Sequence, residues 1–466
     1  MSDIKKYDVA VLGAGPGGYP AAIRAAQKGA KVALIETAEV GGTCLNRGCI
    51  PSKALIANGE LYRQIQKSNE FGIFVEKVSF KYEAMAKRKD EIVSQMRKNV
   101  EGLVQSNKIT LLSGYGRLIS PQEIKIQGKD AQTIFAENII LATGSEPREI
   151  QAFPFDQKQI LDSTSLLNRT ELPKSIIIVG AGVIGCEFAS LYNSLGVQVT
   201  LLELLPRILP MEAEEISLAL TQSFTKRGIQ IKTNVNVQSL QTSKNGVEAN
   251  IGESVKAEIA LVAVGRSLNT KDIGLEKAGI VPEKNGIIKV NERMETEVPG
   301  IFAVGDIASK WWLAHVATHQ GIIAAENATG GNERMHYNAI PSVIFTDPEI
   351  GTVGMTLAQA KEMGYSPIVG SYPFQALGKA QASKHTEGFA QVIVDKPTGQ
   401  ILGAQIFGYE ATTLIAEMAV AIANELTMES IAETIHAHPT YAELWMESAF
   451  VALGTPLHLP PRKRLG

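Results

Sequence analysis

Tyr7-Asp8-Val9-Ala10-Val11-Leu12-Gly13-Ala14-Gly15-Pro16-Gly17-Gly18 lies near the start of the chain and decides how the rest is read. A short apolar run with the length of a buried strand ends in a G-x-G-x-x-G turn, and an alanine-rich stretch to about Lys28 continues as a helix. Lys31 to Glu36 reads as the next strand. In that setting the glycines permit a tight turn and close approach of the backbone to a pyrophosphate, which the helix N-terminus stabilises electrostatically. Glu36, at the end of the second strand, is placed to bind ribose hydroxyls.

The same unit recurs. Ser175 to Val179 is a strand, Gly180-Ala181-Gly182-Val183-Ile184-Gly185 the turn, Cys186 to Leu195 a helix, and Val197 to Glu203 a strand ending in an acid. From Gly13 to Glu36 and from Gly180 to Glu203 the interval is the same, 23 residues. Glycines that served only helix–strand packing could account for one copy. Two copies at one spacing predict two dinucleotides.

Length and composition bound the rest. A chain of 466 residues exceeds one hydrophobic core and divides into about three domains at ~150 residues each. A net charge of −3 leaves no nucleic-acid footprint, and the basic Arg462-Lys463-Arg464 reads as a solvated tail. No apolar run approaches membrane-spanning length. The charged start (Asp3, Lys5, Lys6, Asp8) has no signal-peptide core, and three cysteines fit a reducing compartment, so a cytoplasmic protein is expected.

Two of those cysteines stand in Gly41-Gly42-Thr43-Cys44-Leu45-Asn46-Arg47-Gly48-Cys49-Ile50-Pro51-Ser52-Lys53, just after the first unit. A disulfide between Cys44 and Cys49 would close a very small ring with little loop-entropy benefit, and such bonds tend to be labile and redox-active. A half-built zinc site or two unrelated core thiols are the alternatives, although zinc takes about four ligands and none accompanies the pair. No metal site is expected.

Further along, Tyr82 to Ser106 is a charged amphipathic helix with Ile92, Val93, Met96, Val100, Leu103 and Val104 on its apolar face. Ile139 to Gly144 reads as a strand returning beneath the first nucleotide. Gly300 to Asp306 is another buried strand, ending in an acid that either holds a polyol hydroxyl or merely ends the strand. A helix from about Ala314 to Ala328 points its positive end at the same place. From about Pro341 the pattern changes to an α+β piece, with strands at Ser342 to Phe345, Phe389 to Val394 and Ile401 to Phe407 and helices at Ala411 to Asn424 and Tyr441 to Ala452. It contains His436-Ala437-His438-Pro439-Thr440-Tyr441-Ala442-Glu443. Glu443 is either a capping-box partner of Thr440 or the carboxylate that orients His438 as an acid/base.

Taken together these motifs resemble the flavin-dependent pyridine-nucleotide disulfide oxidoreductases over essentially the whole chain. The resemblance rests on Gly42-Thr43-Cys44 through Lys53, Ala142-Thr143-Gly144, Gly180 to Glu187, Val264-Gly265-Arg266, Val304-Gly305-Asp306 and His436 to Thr440. It implies an α/β fold with two Rossmann-like nucleotide-binding domains, for FAD and NAD, and a C-terminal α+β dimerisation domain. Residues 1–147 would begin the FAD domain, 148–274 form the NAD domain, 275–341 complete the FAD domain and 342–466 make the dimer interface. The cofactor-binding residues it implies are Gly13, Gly15, Gly18, Glu36, Thr43, Lys53, Gly116, Thr143, Gly144, Asp306, Ala314, Gly180, Gly182, Gly185, Glu187, Glu203, Gly265 and Arg266.

The activity implied is oxidation of a protein-bound dihydrolipoyl dithiol by NAD+. His438, supplied in the family by the partner subunit and oriented by Glu443, deprotonates the dithiol. The thiolate attacks Cys44, and Cys49 passes electrons through FAD. Lys53 and Glu187 match an ion pair beside the flavin. The partners implied are a second copy in a homodimer and a lipoyl-bearing acyltransferase of a 2-oxoacid dehydrogenase complex or a glycine-cleavage lipoyl protein. No lipoyl segment precedes Tyr7, so the lipoyl group is expected from another protein. Neither nucleic acid nor membrane is expected as a partner.

Glutathione reductase-like members favour NADP, whose 2′-phosphate Glu203 would repel. Mercuric reductase-like members lack the histidine motif, and soluble transhydrogenase-like members lack the full cysteine pair. A non-catalytic flavoprotein subunit would not need Cys44, Cys49, His438 and Glu443 together. Arg47 between the cysteines, Thr413 after Gly408, and Trp311-Trp312 depart from the usual pattern of the family.

Overall fold

A computed structural model describes residues 4–460; Asp3 and the Arg462-Lys463-Arg464 tail lie outside the described residues. The chain begins β1 (Lys5–Leu12), α1 (Gly18–Gln27), β2 (Val32–Glu36), α2 (Gly42–Arg47), α3 (Cys49–Gln66) and α4 (Tyr82–Ser106). It continues β3 (Thr110–Ser113), β4 (Tyr115–Ser120), β5 (Glu123–Gln127), β6 (Gln132–Leu141) and β7 (Ser145–Pro147). The first sheet runs β3-β2-β1-β6-β5-β4, with β1, β2, β3 and β6 parallel and β4 and β5 added as an antiparallel flap. Val9, Val11 and Leu12 alternate with small residues inside it, buried on both faces as a parallel strand requires.

After β8 (Ile160–Leu161) and α5 (Ser163–Leu167), a second unit starts over: β9 (Ser175–Val179), α6 (Val183–Ser194), β10 (Gln198–Leu202), α7 (Glu214–Lys226) and β11 (Gln230–Lys232). A meander of β12 (Ser239–Ser243), β13 (Gly246–Asn250) and β14 (Ser254–Ala257) precedes β15 (Ile259–Val262). The second sheet is parallel throughout, in the order β11-β10-β9-β15-β8. Next, β16 (Arg266–Leu268) pairs antiparallel with β7. Beyond α8 (Leu275–Ala278), β17 (Ile301–Ala303) re-enters the first sheet parallel to the end of β6, and α9 (Ala314–Ala328) covers α1. A Cβ on Gly321 would overlap the Gly17 carbonyl, so glycine lets these two helices touch backbone to backbone.

The last third is an antiparallel sheet built from β18 (Ser342–Ile344), β19 (Glu349–Gly354), β20 (Pro367–Pro373), β21 (Phe389–Asp395) and β22 (Ile401–Gly408), in the order β18-β19-β22-β21-β20. Its helices are α10 (Leu357–Glu362), α11 (Gly378–Ser383), α12 (Ala411–Ala423), α13 (Met428–Glu433) and α14 (Glu443–Ala452). Trp445 sits fully buried at the centre of this core, and its indole N–H donates to the Leu414 carbonyl of α12.

Two sequence expectations need correcting. On α4, Val93, Val100 and Val104 are buried, whereas Met96 and Leu103 face solvent. Lys89 also lies on the buried face, its ammonium donating to the Leu167 carbonyl at 2.9 Å; Met96 and Leu103, seven and fourteen residues further on, fall at the edge of the stripe, where the helix meets solvent. The last helix begins at Glu443 and not at Tyr441.

The helix that carries Cys49 lies where the three regions meet. Leu55 and Ile56 of α3 share one core cluster with Leu191 and Tyr192 of α6 and with Ile344, Ile350 and Phe407 of the C-terminal sheet. Replacement of Trp445 by alanine is expected to cost about 3–5 kcal/mol, as for other buried tryptophans. Chemical denaturation at fixed protein concentration measures it; a midpoint unchanged from wild type would show that this core is not what the C-terminal region rests on.

Candidate active site

The two glycine turns are built alike, atom by atom. Gly13 and Gly180 take φ of +102° and +99°, and a Cβ there would overlap the carbonyls of Ala142 and Ala263. A Cβ on Gly18 or Gly185 would overlap the carbonyl of the first glycine of its own turn. The middle glycines differ: a Cβ on Gly182 would meet nothing within 4 Å, and one on Gly15 only the Gly42 Cα at 3.8 Å. Neither strain nor packing requires glycine there. Room for a ligand against the backbone does, which is the role a pyrophosphate assigns to that position.

The acids repeat as well. Glu36 accepts from the Ala14 N–H at 2.7 Å and from Ala38 at 2.8 Å; Glu203 accepts from Ala181 at 2.7 Å and from Leu205 at 2.8 Å. Each carboxylate retains unused acceptor positions, since its two oxygens offer about four. The residues therefore fit two dinucleotides, one on each turn.

The cysteine stretch is bolted to the first turn. The Gly41 N–H donates to the Ala14 carbonyl at 2.8 Å, and Gly42 is in contact with Gly15, with φ of +99° and +59° at the two glycines. Asn46 fixes the loop from below, its amide donating to Val40 and Gly42 carbonyls at 3.0 Å while Arg97 of α4 donates to its oxygen at 2.8 Å. Cys44 lies in α2 and Cys49 is the first residue of α3. Both stand as free thiols in hydrogen-bonding contact.

Their chemistry is unequal. The Cys49 thiol is drawn down to about 7, chiefly by the hydrogen bond from Cys44 and also by Lys53, against burial that works the other way. The Cys44 thiol is pushed up by that same hydrogen bond, by burial and by the charge on Cys49. Of the reduced pair, Cys49 is the one whose surroundings favour the thiolate. Lys53 is itself held by Glu187 of α6, at 2.9 and 2.8 Å to the two carboxylate oxygens, and lies over the Phe345 ring at 4.5 Å.

A second cluster closes around Asp306. Ser145 donates to Asp306, and the Arg266 guanidinium donates to the Ser145 hydroxyl and carbonyl, both at 2.6 Å. Burial lowers the Arg266 pKa, with Asp306 and Cys49 the nearest opposing charges. Thr143 donates to the Asn269 carbonyl at 2.7 Å, and the Asn269 N–H reaches Gly144 at 2.9 Å. Gly144 and Gly265 both have positive φ and open space around them. Ser145 and Asn269 escaped the sequence reading, although Ser145 directly follows Ala142-Thr143-Gly144.

Of the remaining positions, Thr43 lies half-buried beside Cys44, and Ala314 is the first residue of α9. Gly116 lies on β4, where a Cβ would overlap the Leu12 side chain, so sheet packing already demands glycine there. The departures from the family pattern are peripheral. Arg47 pairs with Glu39 at 3.1 Å, the Lys310 ammonium lies 5.2 Å from the Trp311 ring, and Trp312 and Thr413 face solvent.

His438 and Glu443 form a separate pair on the C-terminal region. His438 Nδ1 is 2.8 Å from Glu443 Oε1, while the other carboxylate oxygen accepts from the Thr440 N–H at 2.8 Å. The capping-box reading of Glu443 fails, because α14 starts at Glu443 itself with Ala442 as its N-cap and no side-chain cap, and Thr440 Oγ1 donates to the Ala437 carbonyl instead of accepting from the helix. Both Glu443 oxygens instead hold the loop that precedes the helix. The His438 side chain is 75% exposed on its own chain.

A polarised cysteine pair seated on one dinucleotide turn, with a second such turn in the same chain, defines a flavoprotein disulfide oxidoreductase. The chain belongs to the family described as pyridine nucleotide-disulphide oxidoreductase, which matches residues 7–321, with that family's dimerisation domain matching residues 340–449. The dimerisation domain makes the protein a homodimer. It is 49% identical over 459 residues to dihydrolipoyl dehydrogenase of Chlamydia pneumoniae, covering 98% of this chain and 99% of the relative. Dihydrolipoyl dehydrogenase of Geobacillus stearothermophilus is 43% identical over 456 residues, covering 96% and 97%. Among solved structures, LpdA of Mycobacterium tuberculosis superposes with a TM-score of 0.90 at 28% identity, covering 96% of this chain and 99% of that one. The Cu(II) complex of RclA, an HOCl-induced flavoprotein disulfide reductase of Escherichia coli, gives 0.87 at 27% identity, with the same coverage. Among the described residues no helix is long and apolar enough to cross a membrane.

Cys44→Ala removes the donor that stabilises the Cys49 thiolate, so the Cys49 pKa is expected to rise above about 7. The thiolate fraction at neutral pH then falls. Titration of the ultraviolet thiolate absorbance checks this; an unmoved or lower midpoint would show that Lys53, and not Cys44, sets the charge on Cys49.

Proposed function

We infer that the protein oxidises protein-bound dihydrolipoyl groups to lipoyl groups with NAD+ as acceptor, the dihydrolipoyl dehydrogenase reaction. The observation that carries this reading is the polarised Cys44–Cys49 pair, with Cys49 facing Lys53 and the pair fastened to the first glycine turn. Full-length identity to relatives of that name supports the substrate. The lipoyl group would arrive on a separate protein, an acyltransferase of a 2-oxoacid dehydrogenase complex or a glycine-cleavage lipoyl protein. Three cysteines in so long a chain fit a reducing cytoplasm.

Residues 1–147 with 275–341 would hold FAD, on Gly13, Gly15, Gly18 and Glu36, with Asp306 and the N-terminus of α9 at the far end. Residues 148–274 would hold NAD on Gly180, Gly182, Gly185 and Glu203, and residues 342–466 would form the dimer interface. When bound, FAD stores the electron pair and NAD+ accepts it as hydride.

The chain's own residues perform the thiol chemistry. Glu443 fixes the proton on His438 Nδ1, leaving Nε2 as the base. The reaction starts from the oxidised enzyme, in which Cys44 and Cys49 are joined as a disulfide; His438 of the partner subunit removes a proton from one substrate thiol, and the thiolate attacks Cys44 Sγ of that disulfide. A mixed disulfide forms as the bond to Cys49 breaks, and Cys49 leaves as the thiolate its surroundings favour. The second substrate thiol displaces Cys44, which leaves with the proton held on His438; the proton of that second thiol passes to the freed His438 and from there to solvent. The substrate has lost two electrons and the cysteine pair has gained them.

Replacing His438 by Gln is expected to slow flavin reduction by dihydrolipoamide by ~10²–10⁴-fold, the usual contribution of a general base. Reduction of the oxidised enzyme by NADH stays near its original rate. Stopped-flow measurement of both halves decides, and equal slowing would make the histidine structural. Glu203→Ala is expected to narrow the kcat/KM preference for NAD over NADP and to lower thermal stability, since two backbone N–H groups lose their acceptor. An unchanged cofactor ratio would put the adenosine end elsewhere.

A further inference from the structure

The segment between α13 and α14 carries a second histidine–carboxylate pair that the chemistry above does not use. His436 is almost wholly buried, with 5% of its side chain exposed, whereas its neighbour Ile435 is 96% exposed and His438 75%. Its Nε2 is 2.8 Å from Glu417 Oε1 on α12, and its Nδ1 is 2.9 Å from the Thr434 carbonyl oxygen. Both partners are acceptors. A neutral imidazole has one N–H and one lone pair, so in this setting a neutral ring would set its lone pair against an oxygen. The additional proton must sit on the ring or on Glu417, and the imidazole is the stronger base of the two.

We propose that His436 is held as an imidazolium and that this charge ties the loop carrying the His438–Glu443 pair to α12, making His436 a positioning residue for the acid/base step. Besides the Tyr441 hydroxyl, which meets Ser383 of α11, and the Thr440 hydroxyl, which donates to the Ala437 carbonyl, two carboxylates fasten the loop. Glu443 secures its far end by accepting from Thr440 and His438. His436 secures its near end across to another helix, two residues before His438. The charges facing the ring are Glu417 from α12, in direct contact, and Glu443 from α14; both favour the protonated form, and the His436 pKa is raised, first by the Glu417 hydrogen bond.

The sign follows. A histidine whose folded-state pKa exceeds its unfolded value contributes fully below the unfolded pKa, and the contribution is lost as pH rises through the folded one. The two histidines thus act in opposite protonation states. His438 acts by accepting a proton, whereas His436 must be charged to hold the loop, a hold that is lost as pH rises.

This inference rests on the assignment of His438 as the base, and the tests separate the two. Selective ¹⁵N-histidine NMR of the holoenzyme near neutral pH is expected to show one buried ring protonated at both nitrogens, absent from H436Q. A neutral tautomer for that ring overturns the proposal whatever the kinetics. Glu417→Gln removes the countercharge, and the alkaline fall in the dithiol half-reaction is expected to begin at lower pH. At a pH above that onset the rate is about tenfold below wild type, in line with the loss of an opposite charge in contact. The NADH half-reaction keeps its wild-type profile. If H438Q impairs the dithiol half but E417Q leaves its pH profile in place, the positioning role fails and the base assignment stands. If H438Q has no selective effect on that half, the base assignment itself fails.

Discussion

One backbone hydrogen bond, from the Gly41 N–H to the Ala14 carbonyl, fixes the geometry on which everything else depends. It joins the loop that carries the cysteines to the first glycine turn, and a side chain on Gly42 would run into the Gly15 backbone. A pair of thiols on a freely moving loop would exchange with any passing disulfide. Held there, Cys49 begins a helix whose later turns are locked between α6 and the C-terminal sheet, so its sulfur can be displaced only with the domains themselves.

Electrostatics then divides the labour. Lys53 would be an isolated cation in a partly buried seam without Glu187, and Glu187 is oriented by the Phe345 N–H as well as by Lys53. That carboxylate therefore joins three parts of the chain: the redox helix, the second nucleotide-binding unit and the C-terminal region. The charge beside Cys49 is set by how those parts fit together, and the chemistry reports on the assembly of the chain.

What could be read beforehand follows from how local each feature is. The glycine turns and their acids were legible because every role is played within one strand–turn–helix unit, and the parallel run of Gly13–Glu36 and Gly180–Glu203 made the repetition plain. On α4 periodicity found the face but not its width: Met96 and Leu103 sit at its edge and face solvent, and the buried place of Lys89 beneath the Leu167 carbonyl has no apolar signal to announce it. The Ser145–Asp306–Arg266 cluster was partly invisible: two members stood in recognisable motifs, but the serine joining them is 161 and 121 residues from its partners. Glu443 shows the opposite limit, since spacing suggested a helix cap whereas the helix begins at Glu443 itself and its two oxygens hold His438 and the Thr440 N–H of the loop before it.

The double attachment of Glu203 bears on how such an enzyme can change over generations. In the proposed placement of NAD its carboxylate opposes a 2′-phosphate, and its oxygens also anchor the Ala181 and Leu205 backbone. Coenzyme choice and the integrity of the turn are therefore inherited through one side chain. A lineage drifting toward the phosphorylated coenzyme by a single exchange at this position would loosen the very turn that must receive it. Such a shift is accessible only through an intermediate in which a second substitution has already restrained that backbone, and the order of the two changes is not free.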